Sequence, residues 1–167
     1  MVKRSTTAFF GVVAALVVTI VIVESGVWIA FLDGGEYDVT SVTVTDGETG
    51  AELATVQVRV ADTSDKRILG LSNTSSLGTN EGMLFVHDSA GTQGYVMRRM
   101  DFPLDIIFIA DNGTITTIEH APTREDGARA QEPFEGHGRY VLEVNRGWAN
   151  RTGVAVGDTV EIPDAYR

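Results

Sequence analysis

The chain has 167 residues, a formal net charge of −10 and 43% hydrophobic residues. That length holds one ordinary domain and little more. The acid excess excludes a general phosphate-binding surface for nucleic acid, and the absence of cysteine excludes disulfides, thiolate metal ligands, a Cys nucleophile and a Cys-linked lipid anchor.

The apolar residues are concentrated at the N-terminus. Residues 8–23 (AFFGVVAALVVTIVIV) hold no charge, and after Glu24, Ser25 and Gly26 the run resumes as VWIAFL to Leu32. The 25 residues from Ala8 to Leu32 exceed the roughly 20 needed to cross a hydrocarbon core. Glu24 falls near the far end, where a carboxylate reaches the headgroups, and Trp28 suits the interface. Lys3 and Arg4 precede the run; Asp33, Glu36 and Asp38 follow it. The positive-inside rule therefore predicts a cytoplasmic tail (1–7), a single transmembrane anchor (8–32) and a main domain outside the plasma membrane. The rival is a cleaved signal peptide. No small-x-small site directly follows the first run, and that run is longer than a usual signal core.

Without Lys3, Arg4 and Glu24, residues 33–167 carry 11 basic and 22 acidic side chains, a net charge of −11. The whole chain has 11 Arg but only 2 Lys. Acidity with few lysines fits a surface kept soluble where salt shortens the Debye length to about 3 Å. It predicts an archaeal-like surface protein of a salt-loving source. Sequons at Asn73, Asn112 and Asn150, each in an expected loop or turn, are glycosylation candidates in an exported chain.

The exported part reads as β structure. Residues 33–38 (DGGEYD) form a tether, and the span 33–52 adds a first strand, with Val39, Val42 and Val44 among threonines. LATVQVRV (53–60) alternates, with Ala54, Val56, Val58 and Val60 on one face. Thr63 can cap a helix over 64–69 that Gly70 closes. Gly82–Val86 is a buried strand, and Tyr95–Met100 a mixed strand bearing Arg98 and Arg99. Leu104–Ala110 is strongly β, Asp111-Asn112-Gly113 is a hairpin turn, and TITTIEH (114–120) is its partner. Residues 121–138 show no apolar period and read as a polar loop. Arg139–Val144 and Asp158–Ile162 are the last strands, with a helical turn around Trp148 between them and a tail at 163–167. Seven or eight short strands predict a mainly β domain over 53–162, a single sandwich or barrel with one or two short helices.

Two carboxylates stand out. Asp105 shares a face of LDIIFI with Ile107 and Ile109, while Leu104, Ile106 and Phe108 take the other, so both faces are apolar. An ionised group there needs a partner, and Arg67, Arg98 and Arg99 are the cations at hand. Glu143 sits between Val141 and Asn145 on one face of its strand. Asp105 is either half of a structural ion pair or a functional group. Paired, Asp105 and Glu143 are the acid and base of a glycosidase-like hydrolase, which needs carboxyl groups roughly 5–9.5 Å apart. His87, His120 and His137 lack metal-ligand spacing, and no GxSxG, GxGxxG or P-loop occurs. No metal and no cofactor are expected.

The blocks ADTSDKRILGLSN, EGMLFV, VMRRMDFPLDIIFI and YVLEVNRGWANRTGVAVGD, in this order and spacing, resemble the family catalogued as domain of unknown function 192. The resemblance covers roughly residues 53–162. Matching positions include Arg67, Gly70, Leu71, Gly82, Met83, Met97, Pro103, Leu104, Asp105, Phe108, Glu143, Gly157 and Asp158. It implies an extracytoplasmic, mainly β domain of jelly-roll-like or small-barrel form, and it implies no activity. The family's usual Trp-Met-Lys-Asn-Thr block reads Val96-Met97-Arg98-Arg99-Met100 here, so the cation is kept while the aromatic and the amide are absent.

Two functions are in view. The first is a cell-surface binding or interaction module, partnered by an envelope polysaccharide or a surface protein, with Arg67, Met97, Arg98, Arg99, Asp105 and Glu143 as its ligand-binding residues. The second is an extracytoplasmic hydrolase using the carboxylate pair. The absence of a specific catalytic motif favours the first.

Overall fold

The computed structural model describes residues 36–123 and 132–167. The expected tail and anchor (1–32) lie outside the described residues, and so does part of the expected loop at 121–138. No helix among the described residues is long and apolar enough to cross a membrane.

Residues Tyr37–Arg167 form one compact unit. Its strands are β1 (Asp38–Thr45), β2 (Glu52–Ala61), β3 (Glu81–Tyr95), β4 (Leu104–Ile109), β5 (Ile115–Ala121), β6 (Phe134–Asn145) and β7 (Thr159–Glu161). All seven lie in one sheet in the order β5-β4-β6-β3-β2-β1-β7. Neighbours pair antiparallel except β2 and β3, which run parallel. A parallel pair needs a crossover, and the segment between β2 and β3 supplies it with helix α1 (Ser64–Leu69). A second short helix, α2 (Trp148–Thr152), follows β6.

The sheet curls into a half-barrel whose edges touch at one end. There Ile115 N–H donates to Asp158 O at 2.8 Å and Val160 N–H to Gly113 O at 2.8 Å. The barrel-like expectation therefore holds. A two-sheet sandwich does not form, because every strand shares the one ladder.

The curl gives the sheet a concave and a convex face, each with its own apolar cluster. The concave core gathers Val56, Val58 and Val60 of β2 with Ile107, Ile109, Leu142, Val144 and Trp148. The convex cluster gathers Met83, Phe85, Met97, Leu104, Ile106, Phe108 and Val141. The alternation in LATVQVRV thus has its expected meaning, and all of β4 is buried because both of its faces are covered. Fully burying each Val, Leu or Ile contributes about 1.5–3 kcal/mol before conformational entropy is counted.

Two expectations are corrected. Val96–Met100 is not strand: β3 ends at Tyr95, and Arg99 turns the chain with φ +57°. Residues 134–138 are not loop: β6 begins at Phe134 and pairs with β3 from Gly138 to Phe134. A β-carbon on Gly136 would lie 2.2 Å from Phe108 Cγ, so glycine there lets the Phe108 ring lie against the strand.

Candidate functional site

The convex face carries a cavity of about 380 Å³. Its floor is the sheet, with Phe85 of β3, Leu104 of β4 and Glu143 of β6. Arg67, Ile68 and Leu69 of α1 form one wall, and the segment Val96–Met100 contributes Val96, Met97, Arg98 and Met100 to the rim. Thr63 caps α1 through Lys66 N–H at 3.4 Å, and Gly70 ends it with φ +49°, a conformation that favours glycine. The helix buries no residue completely. It lies as a cover over the convex face, with Ile68 and Val96 exposed at the mouth.

Strand parity explains Glu143. Its ladder partners are Met83 on β3 and Ile106 on β4, both members of the convex cluster. The carboxyl is therefore carried onto an apolar floor, where the residue is 6% exposed. It makes no hydrogen bond or ion pair with any described residue. Burial alone pushes its pKa up from 4.5 to about 8, so the group is mainly a neutral carboxylic acid at pH 7.

Beside it stands a pair that sequence reasoning missed. His87 Nε2 and the Tyr95 hydroxyl share a hydrogen bond of 2.9 Å. The register of β3 shifts between Val86 and Gly91, an irregularity that allows residues eight apart to meet. Tyr95 packs edge-on against Phe85 and Phe108, at centroid distances of 4.9 and 6.0 Å. Burial, reinforced by Glu143, raises the Tyr95 phenol well above its usual value. Burial, reinforced by the Arg67 charge, holds the His87 pKa below 6.5. Arg67 itself is fixed by Nη1 donating to Val86 O at 2.7 Å and to Asp62 O at 3.0 Å. No described carboxylate lies within ion-pair distance of its guanidinium.

The expected ligand residues divide. Arg67, Met97, Arg98 and Glu143 line the cavity. Arg99 lines an adjoining hollow of about 290 Å³ together with Arg98, Ile68 and Asp65. Asp105 belongs to the other face. Its register partner on β6 is Val144, a concave-core residue, whereas Glu143 opposes Ile106. The two carboxylates therefore project to opposite sides of the sheet and do not form one acid–base site. Nor does Asp105 pair with an arginine. Its Oδ1 accepts from His120 Nδ1 at 2.7 Å, and its Oδ2 accepts from Ala149 N–H at 3.0 Å, in the first turn of α2. A carboxylate only accepts, so Nδ1 carries the hydrogen. Asp105 is a clamp between the β4–β5 hairpin and α2.

No group of His, Asp or Glu among the described residues could hold a metal ion. The three sequon asparagines are all exposed: Asn73 in the turn after α1, Asn112 in the β4–β5 turn, and Asn150 on α2 rather than in a loop.

The DUF192 family model, described as "Uncharacterized ACR", matches residues 44–162. Solved structures similar to this chain include the following two. One, from Sinorhizobium meliloti 1021, is described provisionally as a transcription regulator; it is 29% identical, with a TM-score of 0.67 over 75% of this chain and 94% of that one. The other, from Novosphingobium aromaticivorans DSM 12444, is described as a protein of unknown function. It is 30% identical, with a TM-score of 0.68 over 77% of this chain and 89% of that one. No curated protein matches.

Proposed function

This chain belongs to the DUF192 family, and because that family is defined without a reaction, we propose a function from the convex-face cavity: the domain is a binding module that takes a small molecule, or one protruding group of a larger envelope component. The observation that carries this reading is Glu143, a buried carboxyl with no partner at the floor of a cavity. Holding such a group at an apolar floor, reached by solvent only through the cavity, carries part of the desolvation cost of a polar group. An apolar side chain there would avoid the cost. A ligand that completes the hydrogen bonding gives the group a use. Apolar walls with a few convergent polar groups are the usual make-up of a small-molecule site.

In this reading residues 8–32 tether the domain to the plasma membrane and hold it outside the cell, and its acidity suits concentrated salt. Regulation of transcription does not carry over from the similar structure, since a net charge of −10 opposes contact with phosphates. Full-length protein in lipid nanodiscs, screened with small soluble probes by melting shift, tests the proposal. Probes that stabilise the wild type should lose their effect in Val96→Trp, which plugs the mouth. Probes acting equally on both proteins would refute it.

A further inference from the structure

We infer that the ligand of this cavity is an organic monoanion with an apolar body, its carboxylate taken by the Arg67 guanidinium and hydrogen-bonded by Glu143 acting as a donor. The inference rests on the binding reading above and adds the charge and shape of the ligand.

The first support is the balance of groups around the cavity. α1 presents Arg67, β3 presents His87 and Tyr95, the rim presents Arg98, and β6 presents Glu143; β4 presents only Leu104. Lys66 of α1 is already paired with Asp62 at 2.9 Å. The fixed charges facing the cavity are therefore positive, inside a domain whose overall charge is strongly negative. Arg99 adds a further cation in the adjoining hollow, partly offset there by Asp65.

The second support is the state of Arg67. Two backbone carbonyls hold its Nη1, and the one carboxylate that feels its charge, Asp62, is already paired with Lys66, so the guanidinium is oriented and only partly compensated. A carboxylate is the shape that a guanidinium fork recognises. The third is Glu143. A cationic ligand would suit an ionised carboxylate, but burial keeps this group protonated through neutral pH. As an acid it donates one hydrogen bond, which an anion accepts. Apart from Ser64 and Ser72, the rest of the lining, including Ile68, Leu71, Phe85, Met97 and Met100, carries no polar side chain and suits an alkyl or aryl body.

Three water-soluble probes of matched body separate the cases: hydrocinnamate, phenethylamine and hydrocinnamyl alcohol. Each is titrated onto full-length protein in nanodiscs, against empty nanodiscs, near pH 6.5 and near pH 9.5. Hydrocinnamate should bind best near pH 6.5. If Glu143 must be protonated, its affinity should fall about thirtyfold at the higher pH. Glu143→Gln keeps a neutral donor, so it should retain binding and lose the pH dependence. Amine or alcohol binding equal to that of the acid, yet abolished in Val96→Trp, would overturn the anion inference and leave the binding reading standing. Hydrocinnamate affinity that is flat with pH in the wild type would also overturn it. Failure of all three probes, or binding that survives Val96→Trp, would overturn both.

Discussion

Glu143→Gln makes a sharp prediction about the folded state itself, apart from any ligand. Glutamine has the size of the protonated acid but cannot ionise. In the wild type, the unfolded chain releases the Glu143 proton near pH 4.5 and the folded chain near 8. Between those values the folded state holds a proton that the unfolded state does not. The carboxyl's contribution to stability is complete below about pH 4.5 and is lost as pH rises through 8. Each tenfold difference in proton affinity is worth about 1.4 kcal/mol. The full shift therefore corresponds to a loss on the order of 5 kcal/mol. That figure is a ceiling, because the cavity opens to solvent and water can follow the ionised group inside. The assay is thermal or urea unfolding of wild type and variant from acid to pH 9, in constant high salt. The two should be similar near pH 4.5, and the variant should become progressively more stable above it, with the gap levelling off past pH 8. A gap that does not vary with pH, or a variant that is the weaker protein at pH 9, would refute the account of Glu143 as a buried, unpartnered acid.

Asp105→Asn should act in the opposite way. The amide can keep the Ala149 N–H bond through its oxygen, but its N–H₂ then faces His120 Nδ1, which must switch to the Nε2–H tautomer to accept; trading a charge-assisted pair for a neutral one is expected to cost about 1–2 kcal/mol at neutral pH by denaturation. Binding in the convex cavity should persist in this variant, since Asp105 faces away from it; selective loss of binding would contradict the clamp role. The proposed anchor predicts that full-length protein sediments with membranes and that removal of residues 1–32 releases it, while the intact mass of the protein from its native source reports whether Asn73, Asn112 and Asn150 carry glycans.

Much of the sheet was legible because its signal is local. LATVQVRV alternates, LDIIFI is apolar at every position but Asp105, and Thr63 with Gly70 bracket a helix where one is found. The start of β6 was not legible. Gly136 and Gly138 have no side chain to show a period, although close contact with Phe108 and Ile109 is what makes glycine suitable there. Tyr95–Met100 reads as a mixed strand bearing Arg98 and Arg99, and the turn found there depends on Arg99 in a left-handed conformation that its residue type does not announce.

The site was legible in part. Glu143, Arg67, Met97 and Arg98 were singled out and do share a cavity. His87 with Tyr95 was missed, because their meeting depends on a register shift within β3. The partner of Asp105 was sought among arginines on charge alone. The Asp111-Asn112-Gly113 turn pairs Ile109 with Ile115, a register that would set Glu119 opposite Asp105; a one-residue shift between Phe108 and Ile109 brings His120 there instead, and no residue type announces that shift. The relation between Asp105 and Glu143 could not be read, since the side to which each projects depends on how β4 and β6 align, and those strands are far apart in the chain.

The central place of β6 also bears on how the chain acquires its structure. The β1–β2 and β4–β5 ladders join segments close in sequence, so each hairpin closes a short loop. β6 instead joins β3 to β4, pairing Leu84 with Leu142 across a long stretch of chain. Contacts of that span are slow to form. Until β6 docks, the two halves of the sheet share a short edge contact around Thr114 and Thr159 but no ladder between β3 and β4, and Glu143 stays in water, fully ionisable. Acidic conditions would thus favour its insertion, making β6 docking a pH-sensitive step of folding.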